Sequence, residues 1–352
     1  MSSTRRTFAA TALVLLLADG VFGAPSPHTA VNEPVVIRPP GVAWSLPATL
    51  VIPEASAPVP CIVFFAGSGP TDRDWLSPML PGKNGSARQL AEAFAGKSVG
   101  SLRFDKVGSG TNQGPLDVLS LAHYADEASV AFDFLAARPE CGKVFLLGHS
   151  EGSLHMTSAA VARQDSARFG GLISMAGPSR SMLETAIEQI RNAHRKAGDD
   201  MPAVETELAA FREAMRKLPD AQPPAMAHVP EARVLWTQAT DPRQAKVVRE
   251  LLLADPLEPA RAYHGRALVL SAARDGQVPP ADGDRLFDAL GSKPGTKSRR
   301  VIADANHVFK RETRDPGSLT PVQIASTYAH DGHPLADGTV ESIVTFVQTS
   351  HD

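Results

Sequence analysis

The sequence predicts an α/β fold: a mostly parallel sheet of eight strands, helices on both faces, and a helical segment inserted late in the chain. Three observations predict it. From Cys61 onward, short apolar runs alternate with helical patterns, the rhythm of βαβ units whose sheet is covered on both sides. Between residues 178 and 262 that rhythm gives way to helical patterns alone. A glycine-bracketed serine, Gly148-His149-Ser150-Glu151-Gly152, stands between the apolar run 144–147 and a helix-compatible stretch at 153–163.

At 352 residues the chain is long enough for one large α/β domain carrying an insertion. Its 43% apolar and 21% charged residues are those of a globular domain, and a net charge of −3 gives no argument for nucleic acid or an anionic membrane as partner. Arg5-Arg6 precedes the apolar run 8–18, and small residues surround Gly23-Ala24. These are the charged, apolar and cleavage regions of a signal peptide, too short to span a bilayer. Ser3-Thr4-Arg5-Arg6-Thr7-Phe8 resembles the twin-arginine export signal. Residues 1–24 are therefore read as a removed leader, and no cysteine near residues 18–25 offers a lipid anchor. The expectation is an exported protein, periplasmic or extracellular, without a stable membrane anchor.

After a Pro-rich start at 25–40, the apolar runs 35–37, 46–52 and 61–65 read as strands, with Pro53, Pro58 and Pro60 marking the turn before the third. Strands at 99–104, 144–147 and 171–175 then alternate with helices at 87–95, 119–137 and 154–162. Three helical patterns follow, at 182–195, 204–218 and 243–254. Apolar residues recur there at helical spacing, as in Val204, Leu208, Phe211, Met215 and Leu218. A connector with Pro219, Pro223, Pro224 and Pro230 separates the second from the third. Because the stretch directly follows a strand, and sites in such sheets lie at strand C-terminal ends, residues 178–262 are read as a lid. Residues 25–177 and 263–352 are then the two parts of the core. The sheet resumes with strands 267–271 and 300–302 and helices 282–290 and 340–348, Asp282 being read as an N-cap; residues 308–337 read as loop and short helix. Cys61 and Cys141 each open an apolar run, on strands that would be neighbours. An exported protein permits a disulfide there, whereas export of an already folded chain favours two separate buried thiols; both readings stand.

The glycine–serine pattern occurs twice. Gly96-Lys97-Ser98-Val99-Gly100 follows a helical pattern and precedes a strand, which puts Ser98 at the wrong edge of a parallel sheet and marks it as a turn. Ser150 has the strand–turn–helix context that exposes a nucleophile at the tip of a tight turn. A serine hydroxyl needs an imidazole base and a carboxylate to orient that base. Asp275 follows the late strand at 267–271, and His307 follows the last strand. Three residues of the required types thus stand at three strand ends in the order nucleophile, acid, histidine. His264, His330 and His333 compete for the base, and Asp304, three residues before His307, competes for the acid. Two backbone N–H donors must face the developing oxyanion. Glu151, next after the nucleophile, supplies one; the other is assigned to Ser68, with Gly67 next, in the loop Gly67-Ser68-Gly69-Pro70-Thr71-Asp72-Arg73-Asp74. No metal or organic cofactor is implied, since H-E-x-x-H, P-loop and dinucleotide patterns are missing from the sequence.

These motifs resemble the α/β-hydrolase-fold serine esterases, particularly a bacterial group with a G-S-G-P-x-D-R-D loop and a G-H-S-E-G elbow. Both stand intact at Gly67 to Asp74 and Gly148 to Gly152. Arg103-Phe104-Asp105-Lys106 with Gly108 and Gly110 resembles the group's turn after the fourth strand, Val107 replacing its usual arginine. Asp275-Gly276-Gln277-Val278-Pro279 and Asn306-His307-Val308-Phe309 match its acid and histidine blocks, and Ser153 stands where many members have a second glycine. The resemblance implies carboxylesterase or acyl thioesterase activity on a small-molecule acyl ester. Small-substrate peptidase action and non-catalytic ligand binding are the alternatives, and the charges of Asp72, Arg73 and Asp74 are read as fixing the loop.

Overall fold

The computed structural model describes residues 31–349 apart from Pro81 and Pro115; the leader read at 1–24 lies outside them. Eight strands form one sheet: β1 (Val31–Ile37), β2 (Leu46–Ile52), β3 (Val59–Phe65), β4 (Gly100–Phe104), β5 (Cys141–His149), β6 (Phe169–Met175), β7 (Ala267–Ala272) and β8 (Lys297–Ile302). Their order is β1-β2-β4-β3-β5-β6-β7-β8. β2 runs antiparallel to both neighbours, and every pair from β4 through β8 is parallel. The expected α/β-hydrolase sheet is therefore present.

The central strands are near-continuous apolar runs because helices cover both faces. Along β3 the side chains alternate between two cores. Cys61, Val63 and Phe65 pack with α2 (Leu121–Ala136) and α3 (Gly152–Arg163) after α1 (Ser86–Ala95) has crossed the opposite face, where Ile62 and Phe64 meet Leu90 and Phe94. α2 is stopped at its start by Ser120, whose side chain accepts from the His123 N–H, an N-cap.

Between β6 and β7 the chain forms α4 (Met182–Ala197), α5 (Met201–Arg216), α6 (Pro230–Thr240), α7 (Ala245–Leu253) and α8 (Leu257–Ala262). Leu183, Ile187, Val204, Leu208, Phe211 and Trp236 give this segment a core of its own. Three helices were expected here and five are present. α6 begins inside the Pro-rich connector, because Pro230 sits at its first turn, where a missing N–H costs no hydrogen bond. α8 has only six residues, too few to display a helical period. After β7 come α9 (Pro280–Ala289), then β8, α10 (Pro321–Ser326) and α11 (Thr339–Gln348). Asp282 is not the N-cap of α9; it lies in the first turn, where its carboxylate accepts from the Ser179 N–H and hydroxyl and from Arg180 and Arg285. The chain entering the helical segment is thereby fastened to α9. No helix among the described residues is long and apolar enough to cross a membrane.

Cys61 and Cys141 lie on adjacent strands with Cα atoms 5.6 Å apart and are joined as a disulfide, which settles the two readings of the sequence in favour of the bridge. The bridge closes a loop of 80 residues that contains α1, β4 and α2. In the chain-entropy picture such a closure contributes about 4.5 kcal/mol by restricting the unfolded chain. Thiol titration in denaturant is expected to find no free thiol before reduction and two after it, and Cys61→Ala/Cys141→Ala should unfold at clearly lower denaturant concentration than the oxidised protein.

Candidate active site

The turn after β5 is shaped by two glycines with no room for a side chain. A Cβ on Gly148 would lie 2.4 Å from the Gly152 carbonyl oxygen. One on Gly152 would lie 2.6 Å from the carbonyl oxygens of both Phe65 and Ala66, at the end of β3. Between them Ser150 adopts φ = 53°, a left-handed conformation that a non-glycine residue rarely holds without surrounding constraint. Its N–H is bonded to the Met175 carbonyl at the end of β6, and its own carbonyl accepts from Ser153 as α3 begins. Ser98, the other glycine-flanked serine, also has positive φ (57°), but it is exposed in the turn before β4, at the opposite ends of the strands.

His307 and Asp275 are brought together. The Asp275 Oδ2 accepts from His307 Nδ1 at 2.7 Å, while its Oδ1 accepts from the N–H groups of Gln277 (2.7 Å) and Val278 (2.9 Å). A carboxylate there places the imidazole proton on Nδ1 and leaves Nε2 with a free lone pair. Asn306 makes the histidine turn, its Oδ1 accepting from Val308 and Lys310. The loop after β8, three strands from β5, folds back to the elbow: His149 Nε2 donates to the His307 carbonyl at 2.8 Å. His149 is buried and neutral, its pKa pushed down to about 3 by burial and by His307. Its ring stacks on Trp75 with centroids 4.2 Å apart. The competing residues lie elsewhere. His264 and His333 bond the carbonyls of Gly291 and Arg311, and the partner of the His307 ring is Asp275, not Asp304.

The loop after β3 lies against the elbow. A Cβ on Gly67 would be 3.3 Å from both Ser150 Cβ and His149 Nδ1. The N–H groups of Ser68 and Glu151 have no acceptor among the described residues, the condition required of donors kept for an oxyanion. Arg73 ties this loop to the turn after β4 through Asp105, with Nη2–Oδ2 at 2.6 Å and a backbone bond at 2.9 Å; Asp74 pairs with Arg103, and Asp72 accepts from Asp74 and Leu76. The three charges thus fix the loop.

Sequence reasoning missed a group of buried charges beneath that loop. Lys106 is 2% exposed, and its Nζ donates to the Gly67 carbonyl at 2.5 Å. Burial lowers its pKa, opposed by the charges of Glu151 and Glu127. Burial would raise the Glu151 carboxyl, but the bond from His155 (3.2 Å) and the charge of Lys106 hold it down at about 2. Glu127 accepts from the Val107 N–H and from His123. The only sequence signal was the position of Lys106 directly after Asp105, in a motif noted for resemblance alone. Among the described residues no group of three or more His, Cys, Asp or Glu is placed to hold a metal.

The protein family described as serine aminopeptidase, S33, matches residues 83–314, about two thirds of the chain. Esterase EstD of Thermotoga maritima is 28% identical over 146 residues, 42% of this chain and 34% of that protein, so the chain spans about a third of that curated relative. Among solved structures, ferulic acid-bound Est1E of Butyrivibrio proteoclasticus superposes with a TM-score of 0.51 at 14% identity, covering 89% of this chain and 96% of that one. A thermophilic esterase of Thermogutta terrifontis with malate bound gives 0.50 at 17% identity, covering 90% and 100%. At these identities the structural likeness speaks for the fold alone.

Glu151 generates a pH prediction. Its folded-state pKa lies below the ordinary 4.5, so its contribution to stability is complete above that value and is lost as pH falls through about 2. In urea unfolding at pH 5 and pH 3, the wild type should lose stability over this interval, and Glu151→Gln should lose less.

Proposed function

The chain belongs to the serine aminopeptidase S33 family, and from that premise we propose that it is a serine hydrolase cleaving small carboxylic esters through an acyl-enzyme. The observation that carries the reading is the 2.7 Å bond between Asp275 and His307 on a loop that folds back to the Ser150 elbow. Ser150 Oγ attacks the acyl carbon while His307 Nε2 takes its proton; the negative charge that forms on the carbonyl oxygen is met by the Ser68 and Glu151 N–H groups. Collapse expels the alcohol, which receives the proton from His307. Water then repeats the sequence on the acyl-enzyme and releases the acid. Asp275 holds the tautomer and stabilises the imidazolium.

The choice of ester over amide is supported by the likeness to esterase EstD and by the state of Glu151. Its carboxylate is engaged by His155 and buried near Lys106, and so is not free to hold the ammonium of an aminopeptidase substrate. The helices of residues 178–262 act in this reading as a lid. Glu151 of the elbow and Leu154 of α3 share a small gap with Met182, Leu251, Ala254 and Pro256 of that segment. Export through the leader at 1–24 is part of the proposal; the Cys61–Cys141 disulfide supports an oxidising destination, where such bridges persist, and not a particular route.

Steady-state kinetics on p-nitrophenyl acetate and butyrate test the reading. Ser150→Ala should remove turnover above background, and Asp275→Asn should lower kcat by about 10⁴ by favouring the wrong tautomer. Equal rates for wild type and Ser150→Ala would end the proposal, and faster turnover of aminoacyl-p-nitroanilides than of esters would move it to amide bonds.

A further inference from the structure

An oxyanion hole works only if its donors are already aimed, because reorganising a peptide during the reaction forfeits the electrostatic gain. The Ser68 N–H sits in a glycine-flanked loop, between Gly67 and the positive-φ Gly69 (φ = 68°), which leaves the peptide intrinsically free to rotate. One restraint is the bond from the Ser68 side chain to the Glu151 carboxylate; the other acts on the carbonyl at the far end of the same peptide unit. In a planar trans peptide the Gly67 C=O and the Ser68 N–H point in opposite directions. Lys106 Nζ holds that carbonyl at 2.5 Å from inside the core, with the faces of Phe65 and Tyr124 at 5.8 and 5.4 Å. The N–H is thereby turned out of the core. The next carbonyl, of Ser68, is engaged by the Thr71 hydroxyl at 2.7 Å, so the loop is pinned on both sides of the donor.

We propose that Lys106 is the positioning residue of the oxyanion hole: its buried ammonium fixes the Gly67–Ser68 peptide so that the Ser68 N–H faces the charge formed on the substrate carbonyl. The proposal rests on the serine-hydrolase reading above. The lysine is held in turn by its surroundings. The Glu127 carboxylate bonds the N–H of Val107, the next residue along the chain, and the carboxylate of Glu151, whose own N–H is the second donor, balances the lysine charge. One cation therefore links the two residues that supply the hole. A buried charge donating to a carbonyl is a stronger anchor than a neutral donor, since charge-assisted bonds are roughly twice as strong.

Lys106→Met keeps length and most of the volume and removes the donor. With p-nitrophenyl butyrate, kcat is expected to fall about 10- to 100-fold, a fraction of the 10²–10³ that follows complete loss of a donor, with KM within about twofold of wild type. The affinity for an aryl trifluoromethyl ketone, which forms a serine-bound oxyanion, should fall by the same factor as kcat. Should Lys106→Met fail to fold because Glu151 is left as an unbalanced buried charge, Lys106→Met/Glu151→Gln removes both charges, leaves the net charge of the cluster as in the wild type and carries the same expectation. An unchanged kcat, or a lower kcat with undiminished ketone affinity, would overturn the role given to Lys106. Wild-type turnover that survives Ser150→Ala would instead overturn the hydrolase reading, and the two failures are separate.

Discussion

No Cβ fits at Gly152, and much of the site depends on that. The backbone at the start of α3 lies against the carbonyl oxygens of Phe65 and Ala66, so the elbow after β5 and the loop after β3 are in direct main-chain contact. The proposed nucleophile and its candidate oxyanion donors therefore share one rigid origin at the middle of the sheet, where β3 and β5 are neighbours. The left-handed turn at Ser150 is paid for by this packing together with the bond from its N–H to Met175. From that origin the remaining groups are reached by loops. Asp275 follows β7, and His307 is carried back from the sheet edge by the bond from His149.

The sheet was legible because each central strand is an apolar run between turn residues, and because strand and helix alternate from β3 to β6. Ser150 was separable from Ser98 by its neighbours: both serines have positive φ, and only the order of strand and helix tells them apart. Asp275 and His307 were found from chain order, which a parallel sheet converts into proximity. The helical segment was less legible. A proline that opens α6 looks, in sequence, like one that closes a helix, and the short α8 has no period to detect. Asp282 had the composition of a cap, but a buried carboxylate within reach of Arg180 and Arg285 takes those partners instead.

What could not be read at all was polar chemistry inside the core. Lys106, Glu127, Glu151 and His155 are 0–4% exposed, and nothing in their spacing along the chain announces that they meet. Burying charges costs more than most hydrophobic contacts return unless each is partnered. Here the partners are backbone groups of the site: the Gly67 carbonyl for Lys106 and the Val107 N–H for Glu127. A purely apolar filling at these positions would satisfy the packing and leave the loop backbone free to turn. Trp75 escaped notice for a related reason. It stacks on His149, a contact between a loop and the end of β5, 74 residues on.

On this geometry one serine of the chain, Ser150, is the nucleophile. Labelling the intact protein with a fluorophosphonate, followed by proteolysis and peptide mass mapping, reads this out. The geometry predicts a single adduct on the peptide containing Ser150, with labelling slowed by Asp275→Asn. An unlabelled protein, or an adduct confined to Ser68 or Ser98, would contradict it.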